Sequence, residues 1–359
     1  MILLETYNRA QLKEWVLSGK HAQHSFLPIT LHRALSQCEN PTITEEDPLL
    51  IVAYINNELA GYLGLLPGEI YINPSIKTKI TWLSTIYISP KFRGKKLVEQ
   101  LLNKAFDLYD GKIALTEFTA QAESVFRRMP TLHSLPAKQG KRYYLQSNWE
   151  ELLPSKIKGA SSFVSVLKLI DTFSNSIFNF LTKKKKLLPF HYEICNTLDQ
   201  ESRKMMADFR CNRSAEELEW IMTHPWILEG NNTEDKYHFS SYALSMKYFW
   251  VKIYSPNNEL KTCALLSVRN GHLKVQYLFD NKNIDAFMAF LEQFCIEKKI
   301  KMFTCFQHKI NEWMEQHPFR KWLTRNFERR YFIHQNTYQL LDSVNHLDFQ
   351  DGDGDCVFT

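Results

Sequence analysis

Residues 81–109 read TWLSTIYISPKFRGKKLVEQLLNKAFDLY. The first part, within KITWLSTIYI at 79–88, is rich in β-branched and aromatic residues, as a strand is. Leu97, Leu101, Leu102, Ala105 and Phe106 then recur at helical spacing. Between them lies a basic turn, SPKFRGKK. A strand that runs straight into a helix leaves the first helical amides unpaired, where the macrodipole is also positive. Pyrophosphate binds at such a place if the backbone can come close. Arg93, Lys95 and Lys96 add side-chain cations, and the turn carries a single glycine, Gly94.

Upstream, residues 8–19 have helical spacing, and DPLLIVAYINNELAGYLGLLPGEIYI (47–72) reads as two strands joined at Asn56-Asn57. Downstream come a strand over KIALTEF (112–118), a helix over QAESVFRRM (121–129) and a strand over KRYYLQS (141–147). A second block begins near residue 190. Its helix SAEELEWIMTHPW precedes strands YFWVKIY, KTCALLSV and HLKVQYLF. A helix from Asn283 to Lys299, strand KMFTCF, helix NEWMEQH and strand RRYFIH follow. The element order repeats without a residue-level repeat, which predicts two tandem copies of one α+β fold. The expected domains are 1–150 and 190–345, with a linker at 151–189 and an acidic tail at 346–359.

A chain of 359 residues has room for two cores. With 44% apolar and 23% charged residues it is neither disordered nor collagen-like. A net charge of +5 is too mild to predict a nucleic-acid partner. Seven scattered cysteines with no C-x-x-C pair suit free thiols in a reducing cytoplasm. The first residues lack a secretory leader, and no window has the apolar length of a membrane span, so a cytoplasmic protein is expected.

At the basic turn the sequence resembles the GNAT superfamily of N-acetyltransferases, whose acyl-CoA loop has the pattern R/Q-x-x-G-x-G/A between its fourth strand and third helix. Arg93 takes the first position, while Lys96 and Val98 stand where the two glycines belong. Gly94 matches the family's RGKG version, and Ile88-Ser89-Pro90 matches its strand-end V-x-P. ENPTITEEDPLLIVAYINNELAGYLGLLPGEI (39–70) and WLSTIYISPKFRGKKLVEQLLNKAF (82–106) look like a subgroup found among polysaccharide and surface-glycan biosynthesis proteins. The resemblance covers residues 1–150 and implies a GNAT fold in tandem, with acetyl-CoA as acyl donor. The loop binds phosphate mainly through backbone N–H groups, so Lys96 still donates one and adds charge. By the same resemblance Arg93, Gly94, Lys95, Lys96, Leu97 and Val98 hold the pyrophosphate. An oxyanion donor lies on the strand near Ile86 to Ile88.

Acyl transfer to an amine needs a base, an oxyanion donor and often an acid for the thiolate. The family's acid is a tyrosine in A-x-x-x-Y; Ala122 to Phe126 matches it with the hydroxyl absent. Tyr143 or Tyr144 is a possible substitute, or an ordinary core residue. Glu69 is the candidate base, and Ser84 and Thr85 are candidates to orient an acceptor. His21, His24 and His32 lack ligand spacing, so no metal is expected. After HLKVQYLF the second block has Asn281 or Asn283 to cap its helix, but no arginine or glycine for pyrophosphate, so it is expected not to bind CoA. DFQDGDGDCVFT (348–359) begins like a calcium loop but lacks the distal glutamate, which predicts a flexible acidic tail. Residues 161–186 form an amphipathic helix ending in Lys183 to Lys186, fit to pack between domains or to lie on an anionic membrane surface.

These features together predict an acetyltransferase acting on an amine, such as an amino-sugar on a nucleotide or lipid carrier. Two other readings stand beside it: an aminoacyl-tRNA-dependent transferase of the same tandem fold, and a decayed enzyme that binds a glycan or partner.

Overall fold

The computed structural model describes all residues except 148, 150–164, 174–187, 318, 320 and 342–346. The chain forms two compact units, each discontinuous in sequence. The first comprises 1–138, 196–246 and 328–359, and the second 139–195 and 247–327.

The first unit holds a seven-stranded sheet. Its strands are β1 (Ile2–Tyr7), β2 (Leu50–Ile55), β3 (Glu58–Tyr71), β4 (Lys77–Ile88), β5 (Ile113–Thr116), β6 (Leu132–Ser134) and β16 (Tyr331–His334), in the order β1-β2-β3-β4-β5-β16-β6. Asn56 and Asn57, both at positive φ, close the β2–β3 hairpin, a conformation asparagine tolerates better than most residues. Alternate residues of β2 enter different cores: Ile51, Ala53 and Ile55 pack with helices α3 (Leu97–Leu108) and α4 (Ala120–Phe126). Leu50 and Val52 pack with α1 (Arg9–Leu17) and α2 (Leu31–Cys38). That alternation is the two-residue period of a strand covered on both faces.

The second unit repeats the plan, with β7 (Lys138–Tyr144), β8 (Tyr192–Cys195), β11 (Met246–Tyr254), β12 (Leu260–Arg269), β13 (His272–Asp280), β14 (Met302–Cys305) and β15 (Leu323–Arg329) in the order β15-β7-β14-β13-β12-β11-β8. In both units a long antiparallel hairpin carries one bulge, at Ser84 in β4 and at Gln276 in β13. In both, the bulged strand then pairs in parallel with the next strand over only three residues. These shared irregularities mark the two units as copies of one fold. A two-stranded ribbon, β9 (Leu228–Glu229) and β10 (Tyr242–Ala243), belongs to the first unit.

Three expectations are corrected. The strands ending the two sequence blocks are exchanged: β7 pairs with β14, and β16 lies between β5 and β6. Alternation predicts each strand but carries no record of which edge it joins, so the contiguous boundaries at 150 and 190 do not describe the units. The helix Ala215–Thr223 likewise belongs to the first unit.

The acidic tail is not free. Asp351, Asp353, Asp355, Cys356, Val357 and Phe358 are buried. Arg329 Nη1 donates to Asp351 O at 2.7 Å, Arg213 Nη2 to Gly354 O at 2.9 Å, and Asn212 Nδ2 to Asp353 Oδ2 at 2.7 Å. Trp226 stacks on Phe358 with ring centroids 4.1 Å apart. Buried partners therefore tie down what composition alone marked as solvated.

Most of the amphipathic segment 161–186 lies outside the described residues. Within helical 165–173, Val166, Leu169, Ile170 and Phe173 are exposed, and Asp171 is buried, accepting from Ser147 Oγ and the Trp149 amide. Among the described residues no helix is long and apolar enough to cross a membrane.

Candidate active site

The site is made where β4 leaves β5. The two strands pair only from Thr81–Ile113 to Leu83–Leu115. Beyond Leu83, β4 continues to Ile88 against β3 alone, so one edge of residues 84–88 opens onto a wedge. Alternate backbone N–H groups of an unpaired strand edge face such an opening. The bulge falls at its start: Gly64 opposes Thr85 and Leu65 opposes Leu83, leaving Ser84 as the extra residue. The wedge is lined by Ser84, Thr85, Ile86, Glu117, Phe126 and Phe239, among others.

Gly64 is required there. A Cβ on it would lie 2.6 Å from Thr85 Oγ1 and 2.7 Å from Ser84 Oγ, so the two hydroxyls converge over a position that only glycine leaves open.

The basic turn follows at the end of β4. A short 3₁₀ helix over Pro90–Phe92 buries Phe92 in the core and leaves Arg93 to Lys96 exposed. Gly94 has φ +79° and Lys96, immediately before α3, φ +55°. The family's glycine at the Lys96 position thus meets a left-handed backbone, which lysine adopts at a cost of about 1 kcal/mol. Among the described residues the amides of Leu97, Val98 and Glu99 have no acceptor, and the first helical bond there runs from Gln100 N to Lys96 O. Val98 packs partly against the core. A cavity over these amides is lined by Ile88, Arg93, Gly94, Lys96, Val98 and Arg128. Arg128, from the chain just after α4, is a cation that spacing along the sequence did not associate with the turn.

The predicted catalytic residues separate. Ser84 and Phe126 line the wedge, Phe126 edge-on to Phe118 and Phe332. Glu69 does not: it opposes Lys79 near the far end of the hairpin and forms a 3.9 Å ion pair with Lys77. Five residue-to-residue steps along β4 separate Lys79 from Ser84, roughly 16 Å at about 3.3 Å per step. Tyr143 belongs to the core of the second unit, where its hydroxyl donates to Asn311 Oδ1 at 2.9 Å, and Tyr144 is buried on the same strand.

The carboxylate the wedge does contain is Glu117, at the end of β5 with φ +54°. Its Oε1 accepts from Arg329 Nε at 2.9 Å. A left-handed, non-glycine residue held by a buried arginine is the kind of strain that accompanies positioned groups. Sequence reasoning missed it because Arg329 lies more than 200 residues away.

Behind the wedge, α2 supplies Arg33, only 4% exposed. Its Nη2 donates to Ser84 Oγ at 2.8 Å, its Nη1 to Tyr237 Oη at 2.6 Å, and its Cζ stands 3.9 Å from the Trp226 ring centroid. Burial raises the Tyr237 phenol above its ordinary value, against the pull of Arg33. Burial also pushes the nearby Asp355 carboxyl up to about 7, against the attraction of Arg33.

The corresponding place in the second unit carries a carboxylate instead of cations. After β13, Lys282 is left-handed, and Asp280 Oδ1 accepts from both Asn283 N at 3.1 Å and Thr262 Oγ1 at 2.9 Å. Asn283 makes no side-chain cap. The chain's own carboxylate accepts from the amide immediately before this helix, in the place where the first unit carries its basic turn.

Among the described residues no cluster of three metal-ligating side chains occurs, and none of the seven cysteines forms a disulfide.

Residues 10–129 match the acetyltransferase (GNAT) family. No curated protein matches at the sequence level. Among solved structures, a probable N-acyltransferase of Enterococcus faecalis is similar over 94% of this chain and 74% of its own, at 9% identity and a TM-score of 0.55. Saccharomyces cerevisiae N-myristoyltransferase with myristoyl-CoA aligns over 92% and 82% at 12% identity, TM-score 0.49. A tandem GNAT protein of the clavulanic acid pathway aligns over 93% and 99% at 8% identity, TM-score 0.46. Residues 10–129 thus carry an acetyltransferase (GNAT) family domain, in a chain whose two mixed seven-stranded sheets have the GNAT acyltransferase fold.

Proposed function

We propose that the first unit binds acetyl-CoA and transfers its acyl group to a primary amine. One observation carries this reading: the unbonded amides of Leu97 to Glu99 and the cations Arg93, Lys96 and Arg128 adjoin the open edge of β4. Pyrophosphate would lie on the turn, the thioester would run along residues 84–88, and an amide near Ile86 to Ile88 would take the developing oxyanion. An amino-sugar in glycan biosynthesis is the acceptor class proposed, resting on the resemblance of residues 39–70 and 82–106.

Titration of acetyl-CoA into the purified protein by calorimetry tests the donor half. Saturable binding at one site per chain is expected, and absence of binding at millimolar acetyl-CoA overturns the proposal.

In this reading Glu117 replaces Glu69 as the base. Its second oxygen, Oε2, is left to take a proton from the amine while Arg329 holds Oε1. Glu117→Gln should lower turnover with an amine acceptor by about 100-fold or more, the size of a lost general base. Acetyl-CoA affinity should stay as in the wild type. Unchanged turnover would remove Glu117 from the mechanism.

Phe126 favours one second reading, a decayed enzyme that binds a glycan or a partner. It predicts no response to acetyl-CoA together with retained sugar binding.

A further inference from the structure

Arg33 is a buried cation that the mechanism above leaves unused, and its geometry constrains the hydroxyl at the bulge. A guanidinium only donates hydrogen bonds. Ser84 Oγ therefore accepts from Arg33 Nη2, and among the described residues it takes part in no other hydrogen bond. Among the described residues its own hydrogen has no acceptor, and Ser84 lines the wedge.

We propose that Arg33 is a positioning residue that makes Ser84 a hydrogen-bond donor to the sulfur of the acyl donor, a task the phenylalanine at position 126 cannot perform. The inference rests on the acyl-CoA reading above.

Three features fix the arrangement. Thr30, the N-cap of α2, accepts from the Arg33 amide and anchors the start of the helix that carries the guanidinium. Trp226 and Tyr237 hold the guanidinium plane, by stacking and by a hydrogen bond. Gly64 gives room for Ser84 Oγ; its absent Cβ would also come within 3.5 Å of Arg33 Nη2. Two longer-range charges, Asp355 and Glu117, lie in the same neighbourhood.

In the step, the amine nitrogen bonds to the thioester carbon and the carbonyl π pair moves to oxygen. Collapse restores the C=O bond, breaks the C–S bond and leaves the electron pair on sulfur as thiolate. The ammonium proton goes to the base. Ser84 keeps its own proton throughout, because an alkoxide is far less stable than a thiolate. It stabilises the sulfur by hydrogen bond alone, and the cation behind it strengthens that donor.

The test needs no acceptor. The thiol of bound CoA is titrated by its thiolate absorbance, with the desulfo-CoA complex as blank, in wild type, Ser84→Ala, Ser84→Thr, Arg33→Lys and Arg33→Gln. A thiol tenfold more acidic in the wild-type complex than in Ser84→Ala is expected, with Ser84→Thr close to wild type. Arg33→Lys should lose most of the effect. Arg33→Gln, which keeps an N–H donor without the charge, should lie between and replaces the lysine variant if that one fails to fold.

CoA that binds with the same thiol acidity in wild type and Ser84→Ala overturns this inference and leaves the donor site standing. A shift in Ser84→Ala with none in either Arg33 variant overturns the role of Arg33. Failure of wild type to bind CoA overturns the inference together with the reading beneath it.

Discussion

The double substitution Arg93→Ala, Lys96→Ala is expected to weaken acetyl-CoA binding by about 100-fold, measured by calorimetry against the wild type. Hydrogen bonds to charged groups contribute about 1.5–3 kcal/mol each, so two of them come to roughly 3–6 kcal/mol. Each factor of ten in affinity corresponds to about 1.4 kcal/mol. The lower end is taken because Arg93 and Lys96 are exposed and screened by salt. Alanine at 96 meets the same left-handed φ of +55° that lysine already tolerates, so the comparison isolates the side chains. The loss should shrink as salt is raised. An affinity unchanged at low salt would mean that the α3 amides and Arg128 hold the phosphates alone, or that the ligand lies elsewhere.

The second large effect is on stability. Asp355 is buried, its Oδ1 has no partner among the described residues, and burial lifts its carboxyl to about 7. In the unfolded chain an aspartate titrates near about 3.9. A carboxyl with a raised folded pKa binds a proton on folding. Its contribution is fully present below about pH 4, is lost progressively as the pH rises, and is gone once the pH passes about 7. Asp355→Asn should therefore raise stability by about 2–4 kcal/mol at pH 8, since roughly three pKa units at about 1.4 kcal/mol each set the upper bound. At pH 4, where the aspartic acid and the amide are nearly equivalent, the gain should be close to zero. Urea unfolding of both proteins at the two pH values decides it; an equal difference at both would show that Asp355 does not titrate within this range.

The tail around Asp355 also shows why part of the chain was misread. The run DFQDGDGDCVFT is polar by composition. What buries it is a set of partners from far along the chain, Asn212, Arg213 and Arg329, together with the ring of Trp226. None of these pairings leaves a periodic or local mark. Glu69 stands apart from the wedge for a related reason: proximity in sequence to a strand says which strand carries a carboxylate, but the register of β3 on β4 decides how far it stands from the wedge.

While β1, α2, β6, β8 and β15 went unread, the sequence by itself determined the central strands and helices of each block, the strand-turn-helix around Arg93 and the repetition of one α+β plan. Each is written in the period of apolar residues or in the chemistry of one short turn, both local properties. Tertiary structure alone decided the exchange of β7 and β16, the burial of the C-terminal carboxylates, and the meeting of Ser84 and Glu117 at the wedge with Arg33 and Tyr237 behind Ser84. These depend on which strand edges pair and on how a single-residue bulge turns two hydroxyls over Gly64. Pairing energies of that kind are contributed jointly by residues distant in the chain, so neither partner's own neighbourhood records them.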